Sequence, residues 1–155
     1  MTAAAAKTIF TDPKLVRAGG TAVDWRDAVK QTTGLLVSEG YVTRRYPDKV
    51  IAVIDRYGPY TVIAPGLALV HAQPSPDSVK PGAAAMTFPD GVNFGHAHFD
   101  PVGLVIAIAT TNPSAHIELI ADLASQLEHD GGIVVRAIRA SSDTALVKAL
   151  GEVAP

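Results

Sequence analysis

Residues 102–109, VGLVIAIA, contain no polar side chain. With valine, isoleucine and leucine on both parities, such a run cannot turn one face to water, so it fits a central strand covered on both sides. It is far shorter than the roughly 18 apolar residues a membrane span requires. Amphipathic helical patterns occur both before and after it. Strands alternating with helices predict an α/β fold layered around one sheet.

The segment DWRDAVKQTTGLLVSEG places Trp25, Val29, Thr32 and Leu36 at helical spacing, with Asp24 as cap and Gly40 as stop. A second helix is expected from Pro47, its apolar side formed by Val50, Ile51, Ile54 and Tyr57, and ended by Gly58 and Pro59. YTVIA and LALVHA read as short strands divided by Pro65 and Gly66, and AAAMTF as another strand. PDGVNFGHAHFDP reads as a turn and irregular segment. Asn112 caps and Pro113 opens a helix whose buried stripe is predicted as Ile117, Ile120, Ala121, Ala124 and Leu127. IVVRAIRA fits strand or helix equally, and SDTALVKALGEV closes the chain as a serine-capped helix. Residues 1–23 carry little pattern and are expected to be a mobile or loosely docked lead-in to one domain spanning 24–155.

Composition narrows the function. The formal charge is −2, from 13 basic and 15 acidic residues, so no basic excess points to nucleic acid or an anionic membrane. Without cysteine there are no disulfides, zinc-thiolate sites or thiol nucleophiles. The four alanines before Lys7 are too few for a secretory signal, so a cytoplasmic location is expected.

Chemistry then falls to the five histidines. His129 follows Glu128 at the polar end of a helix and reads as solvated. His96 and His98 have a spacing that can share one metal ion, but a third ligand would have to come from His71, Asp90 or Asp100, and an exposed loop pair is the simpler reading. His116 lies in the first turns of the helix capped by Asn112, where backbone N–H groups and the dipole favour an anion. If the anion is a phosphoryl group, Asn112 and Ser114 are the expected binding positions of that turn; a carboxylate or sulfate would fit equally. His71 ends an apolar strand just before the loop QPSPDSVKPG. It fits either a strand-end histidine with one satisfied bond or a nucleophile attacking through one ring nitrogen while the other donates to a carbonyl.

GPYTVIAPGLALVHAQP with VNFG, followed by DPVGLVIAIATTNPSAHIELIADLASQL, resembles the EIIA components of the bacterial phosphoenolpyruvate-dependent sugar phosphotransferase system, mannitol-fructose class, and most of all the ascorbate type. The resemblance covers about residues 24–152. It implies a three-layer α/β domain with a mixed five-stranded sheet flanked by helices. It also implies that His71 accepts a phosphoryl group from the phosphocarrier HPr and passes it to a cysteine of an EIIB component. His116 would stabilise the transferring group. Mannitol-type members add an arginine from the preceding helix, for which this chain offers Arg56, fifteen residues before His71. Where the family has proline before the active histidine, this chain has Val70.

On this reading no metal or other cofactor is needed. EIIB is a separate chain, the EIIC permease is an indirect membrane partner, nucleic acid is not a partner, and the oligomeric state, a homodimer included, is left open. Two other readings stand beside it. One is a regulatory phosphoprotein with the same fold whose state on His71 is read by a partner, and the other is a metal-dependent hydrolase built on His96, His98 and His71.

Overall fold

The computed structural model describes residue 10 and residues 12–129 and 131–151; the expectations for residues 1–9, 11, 130 and 152–155, and for the His129 side chain, fall outside it. Five strands form one mixed sheet: β1 (Val16–Arg17), β2 (Val62–Ala64), β3 (Leu67–His71), β4 (Gly82–Val92) and β5 (Val102–Ala109). They lie in the order β1-β4-β5-β3-β2, so the wholly apolar run occupies the middle of the sheet and is buried along its whole length. β5 runs parallel to β3 and antiparallel to β4, while β1 is parallel to β4 and β2 antiparallel to β3.

Side-chain parity divides the core into two layers. Ala68, Val70, Ala84, Met86, Val105 and Ala107 pack with helices α1 (Trp25–Ser38) and α2 (Tyr46–Tyr57) on one face. Leu67, Leu69, Ala85, Leu104, Ile106 and Ile108 pack on the other with α3 (Pro113–His129), α4 (Gly131–Arg139) and α5 (Asp143–Leu150). The result is the expected α/β domain with helices on both faces. Capping followed the residue chemistry. The Asp24 carboxylate accepts from the Asp27 amide at α1, and the Ser142 hydroxyl accepts from Ala145 at α5.

Four features depart from the sequence reading. Residues 12–23 are not a loose lead-in: β1 pairs with β4, Leu15 and Val16 are buried with Phe10, and the amides of Gly19 and Gly20 donate to Thr87. A two-residue strand is too short to leave a periodicity, which is why the pattern missed it. β4 continues through Pro89, Asp90 and Gly91 to Val92, with a register shift between Thr87 and Val92 where the polar residues pass outward. α4 is a helix because Ile133, Val134 and Ala137 recur on one side of it and pack against the second layer. The α3 stripe is rotated from the predicted one. His116, Leu123 and Leu127 face inward, Ile120 is partly buried, and Ile117 is 69% exposed.

Candidate active site

β3 and β5 are parallel, so both end at the same edge of the sheet, with His71 opposite Ile108. His71 shares parity with Leu67 and Leu69, which turns it toward the α3 layer. One residue beyond β5 comes Thr110, and α3 begins at Pro113. Asn112 accepts the amides of Ser114 and Ala115 on its Oδ1 at 2.8 and 3.2 Å, and its carbonyl accepts the His116 amide at 2.9 Å. This turn swings His116 back over the strand ends. The two rings, 45 residues apart in sequence, meet edge to face with centroids 5.0 Å apart at 68°.

The pair is held neutral. Burial pushes His71 down to about 4, the neighbouring His116 adds to that lowering, and the Leu69 backbone acts in the opposite direction. His116 is also lowered, by burial. His71 Nδ1 is shut away from solvent with no partner in full hydrogen-bond geometry. His71 is partly exposed at the strand end, whereas His116 is 4% exposed. A neutral imidazole whose outer nitrogen is free can act as a nucleophile.

His71 also lines a pocket of about 440 Å³ with Val53, Tyr57, Tyr60, Ala72 and Gln73. The Tyr60 ring stands edge-on to His71 at 6.3 Å, and Tyr57 stands edge-on to Tyr60 at 6.4 Å. Tyr57, expected in the core, is 65% exposed because α2 ends at this rim.

Two side chains that sequence reasoning missed brace the histidines. Tyr46, fully buried at the start of α2, donates from its hydroxyl to the Ile108 carbonyl at 2.5 Å and accepts the Ala72 amide at 3.1 Å. The phenol thus bridges β3 and β5 immediately after His71. Thr110, 2% exposed, places Oγ1 2.5 Å from His116 Nδ1.

The other expected residues lie on the elements anticipated for them. Arg56 lies on the exposed side of α2 with its guanidinium 5.4 Å from the centre of the Tyr57 ring, and it is not part of the pocket wall. The helical phase that turns Val53 and Tyr57 to the pocket turns Arg56 to solvent. The backbone donors expected at the start of α3 are already engaged: Pro113 has none, and those of Ser114, Ala115 and His116 are bound to Asn112. What this turn offers an anion is the His116 ring, the exposed Ser114 hydroxyl and the helix dipole.

His96 and His98 do not form a metal site. His96 Nδ1 accepts the amides of His98 and Phe99, its ring stacks on Phe99, and Asp100 accepts the amides of Phe94, Gly95 and His96. Among the described residues no group of three or more histidine, aspartate or glutamate side chains could hold a metal ion.

The chain as a whole has clear relatives. Residues 9–152 match the family described as phosphoenolpyruvate-dependent sugar phosphotransferase system, EIIA 2. The chain belongs to that family. It is 36% identical over 110 residues, 71% of each chain, to the ascorbate-specific PTS system EIIA component of Shigella boydii serotype 4. A putative PTS IIA domain from Streptococcus pyogenes superposes with a TM-score of 0.82 at 26% identity, covering 95% of this chain and 94% of that one. The mannitol enzyme IIA of Escherichia coli, solved in complex with phosphorylated enzyme IIB, superposes with a TM-score of 0.76 at 24% identity over 90% and 95% of the chains. As an EIIA family member this chain is a phosphotransfer component of a sugar phosphotransferase system. None of its described helices is long and apolar enough to cross a membrane.

Proposed function

We propose that this EIIA accepts a phosphoryl group from phospho-HPr on Nε2 of His71 and hands it to a cysteine of a separate EIIB chain, in uptake of an ascorbate-type sugar acid. The observation that carries the reading is the His71–His116 pair, two rings held neutral and edge to face 5.0 Å apart where β3 and β5 end together, with His71 lining the pocket. In uptake, the Nε2 lone pair of His71 forms the new P–N bond as the bond from phosphorus to the HPr donor atom breaks, its electron pair staying with HPr. Nδ1 keeps its proton, turned toward the Leu69 backbone. His116 and the start of α3 oppose the charge of the transferring group, with Ser114 beside them and Asn112 holding the turn. Arg56, stacked on the pocket-lining Tyr57, supplies countercharge from the opposite rim.

Catalysis of this kind is positioning and electrostatics, with no cofactor chemistry required. The partner assignments draw support from the ascorbate-specific relatives and from the mannitol enzyme solved with its phosphorylated IIB partner. The domain responsible is the unit from Asp24 onward together with the β1 segment that completes its sheet.

The test is intact mass after incubation with phosphoenolpyruvate, Enzyme I and HPr. One added phosphoryl group is expected on the wild type and none on His71→Ala. A phosphoryl group that persists in His71→Ala refutes the assignment. Adding the cognate EIIB should then discharge the phosphoprotein. Retention of the group in its presence would favour the regulatory reading instead.

A further inference from the structure

Thr110 is buried, and among the described residues its hydroxyl has a single hydrogen-bond partner, His116 Nδ1, at 2.5 Å. A threonine hydroxyl carries one proton, and the imidazole nitrogen is a donor or an acceptor according to tautomer. If Nδ1 carried the ring proton, it would donate to Oγ1, and the Thr110 hydroxyl proton would then be buried with no acceptor. Leaving such a group unsatisfied costs about 1–3 kcal/mol. The alternative satisfies both groups: Thr110 donates, Nδ1 accepts, and the ring proton of His116 must reside on Nε2. That nitrogen is the one Thr110 does not engage, on a ring whose centroid lies 5.0 Å from that of His71.

We propose that Thr110 is a positioning residue that locks His116 in its Nε2–H tautomer, so that the ring presents a neutral N–H donor to the phosphoryl group on His71. The proposal rests on His71 being the phosphoryl acceptor. It makes the two histidines complementary, since the outward nitrogen of His71 offers a lone pair and that of His116 offers a proton. The donor is then available without charging a ring that burial keeps neutral. No bond to phosphorus involves Thr110, and its proton does not leave during transfer. Ile108 and Thr110 follow the parity that puts His71 on the α3 face, so the strand that fixes the nucleophile opposite Ile108 also places the hydroxyl under His116.

The experiment compares wild type, Thr110→Val and Thr110→Ser. Two-bond ¹H–¹⁵N correlation spectra of the histidine-labelled proteins report the tautomer, and rapid-quench uptake from phospho-HPr reports the rate. His116 should be an Nε2–H tautomer in wild type and Thr110→Ser. In Thr110→Val that preference should be lost, with uptake on the order of tenfold slower and Thr110→Ser within about twofold of wild type. An Nδ1–H tautomer in the wild type overturns the proposal even if the valine variant fails to fold. So does a valine variant that keeps the tautomer or the wild-type rate. The spectra need no phosphoryl donor. If His71→Ala still takes up phosphoryl, the acceptor assignment fails while the tautomer result stands, and the two failures remain distinguishable.

Discussion

Replacing Tyr46 by phenylalanine isolates the bridge behind His71. The ring stays in place, so no large cavity opens, and the perturbation is the loss of one oxygen that serves two partners. The Ala72 amide at 3.1 Å and the Ile108 carbonyl at 2.5 Å both lose their bond to it. Each regains a partner only if the strands reclose or water enters. Each buried, unpaired backbone group costs about 1–3 kcal/mol, so Tyr46→Phe should destabilise the fold by about 2–6 kcal/mol. Burial raises the phenol to about 12, so the hydroxyl stays protonated and the effect should be the same at pH 6 and pH 9. Urea unfolding followed by far-UV circular dichroism measures it, as a lower midpoint with unchanged slope. Phosphoryl uptake should slow as well, because Ala72 directly follows the nucleophile. A loss below about 1 kcal/mol would mean that the strands reclose or that water replaces the hydroxyl, and the bridge would then have no role in seating His71.

Three further outcomes follow from the same geometry. His71 is lowered from 6.5 to about 4, so the unfolded chain holds more protons between those values. Its contribution is therefore whole above pH 6.5 and lost as pH falls through about 4, by up to about 3 kcal/mol at 1.36 kcal/mol per pH unit. Wild type minus His71→Gln, measured by urea unfolding across pH 4–7, should show that slope, and parallel curves would refute it. Asn112→Ala removes the acceptor for the Ser114 and Ala115 amides and should cost about 1 kcal/mol in the same assay, whereas an unchanged midpoint would deny the cap. Gly66 has φ +76° while an added Cβ would meet Ile138 only at an ordinary 3.5 Å, so Gly66→Ala should cost about 1–2 kcal/mol from backbone strain alone; a thermal midpoint equal to wild type would contradict that.

The apolar run 102–109 was enough to place the central strand, while the helical layers on both faces came from the family resemblance. His71 and His116 were visible as a strand-end residue and a first-turn residue respectively. Their meeting was not visible from spacing, since it depends on β3 and β5 being parallel neighbours. Thr110 could have been found by continuing the parity of Leu104, Ile106 and Ile108 one step past the strand. Tyr46 could not, for beside Pro47 it looks like an ordinary helix start, and its partner carbonyl lies 62 residues away. That Arg56 stands at the rim and not in the pocket wall was hidden for a related reason. Sequence counts residues to the histidine, whereas the turn of α2 decides which of them face it. Ile117 was misassigned because the stripe was phased from the apolar residues alone, and a buried histidine replaces one of them.

The parallel pairing of β3 with β5 makes strand alignment the ruler of this site. Because side chains alternate faces, a slip of β3 by a single residue would carry His71 through the sheet to the α1 and α2 side, away from His116. Such a misthreaded chain would retain nearly all its apolar content, its helices and its circular dichroism, yet have no working centre. Material judged folded by spectroscopy alone could therefore include an inert fraction. A direct titration of the phosphorylatable histidine, expressed per mole of protein, would count the correctly threaded molecules.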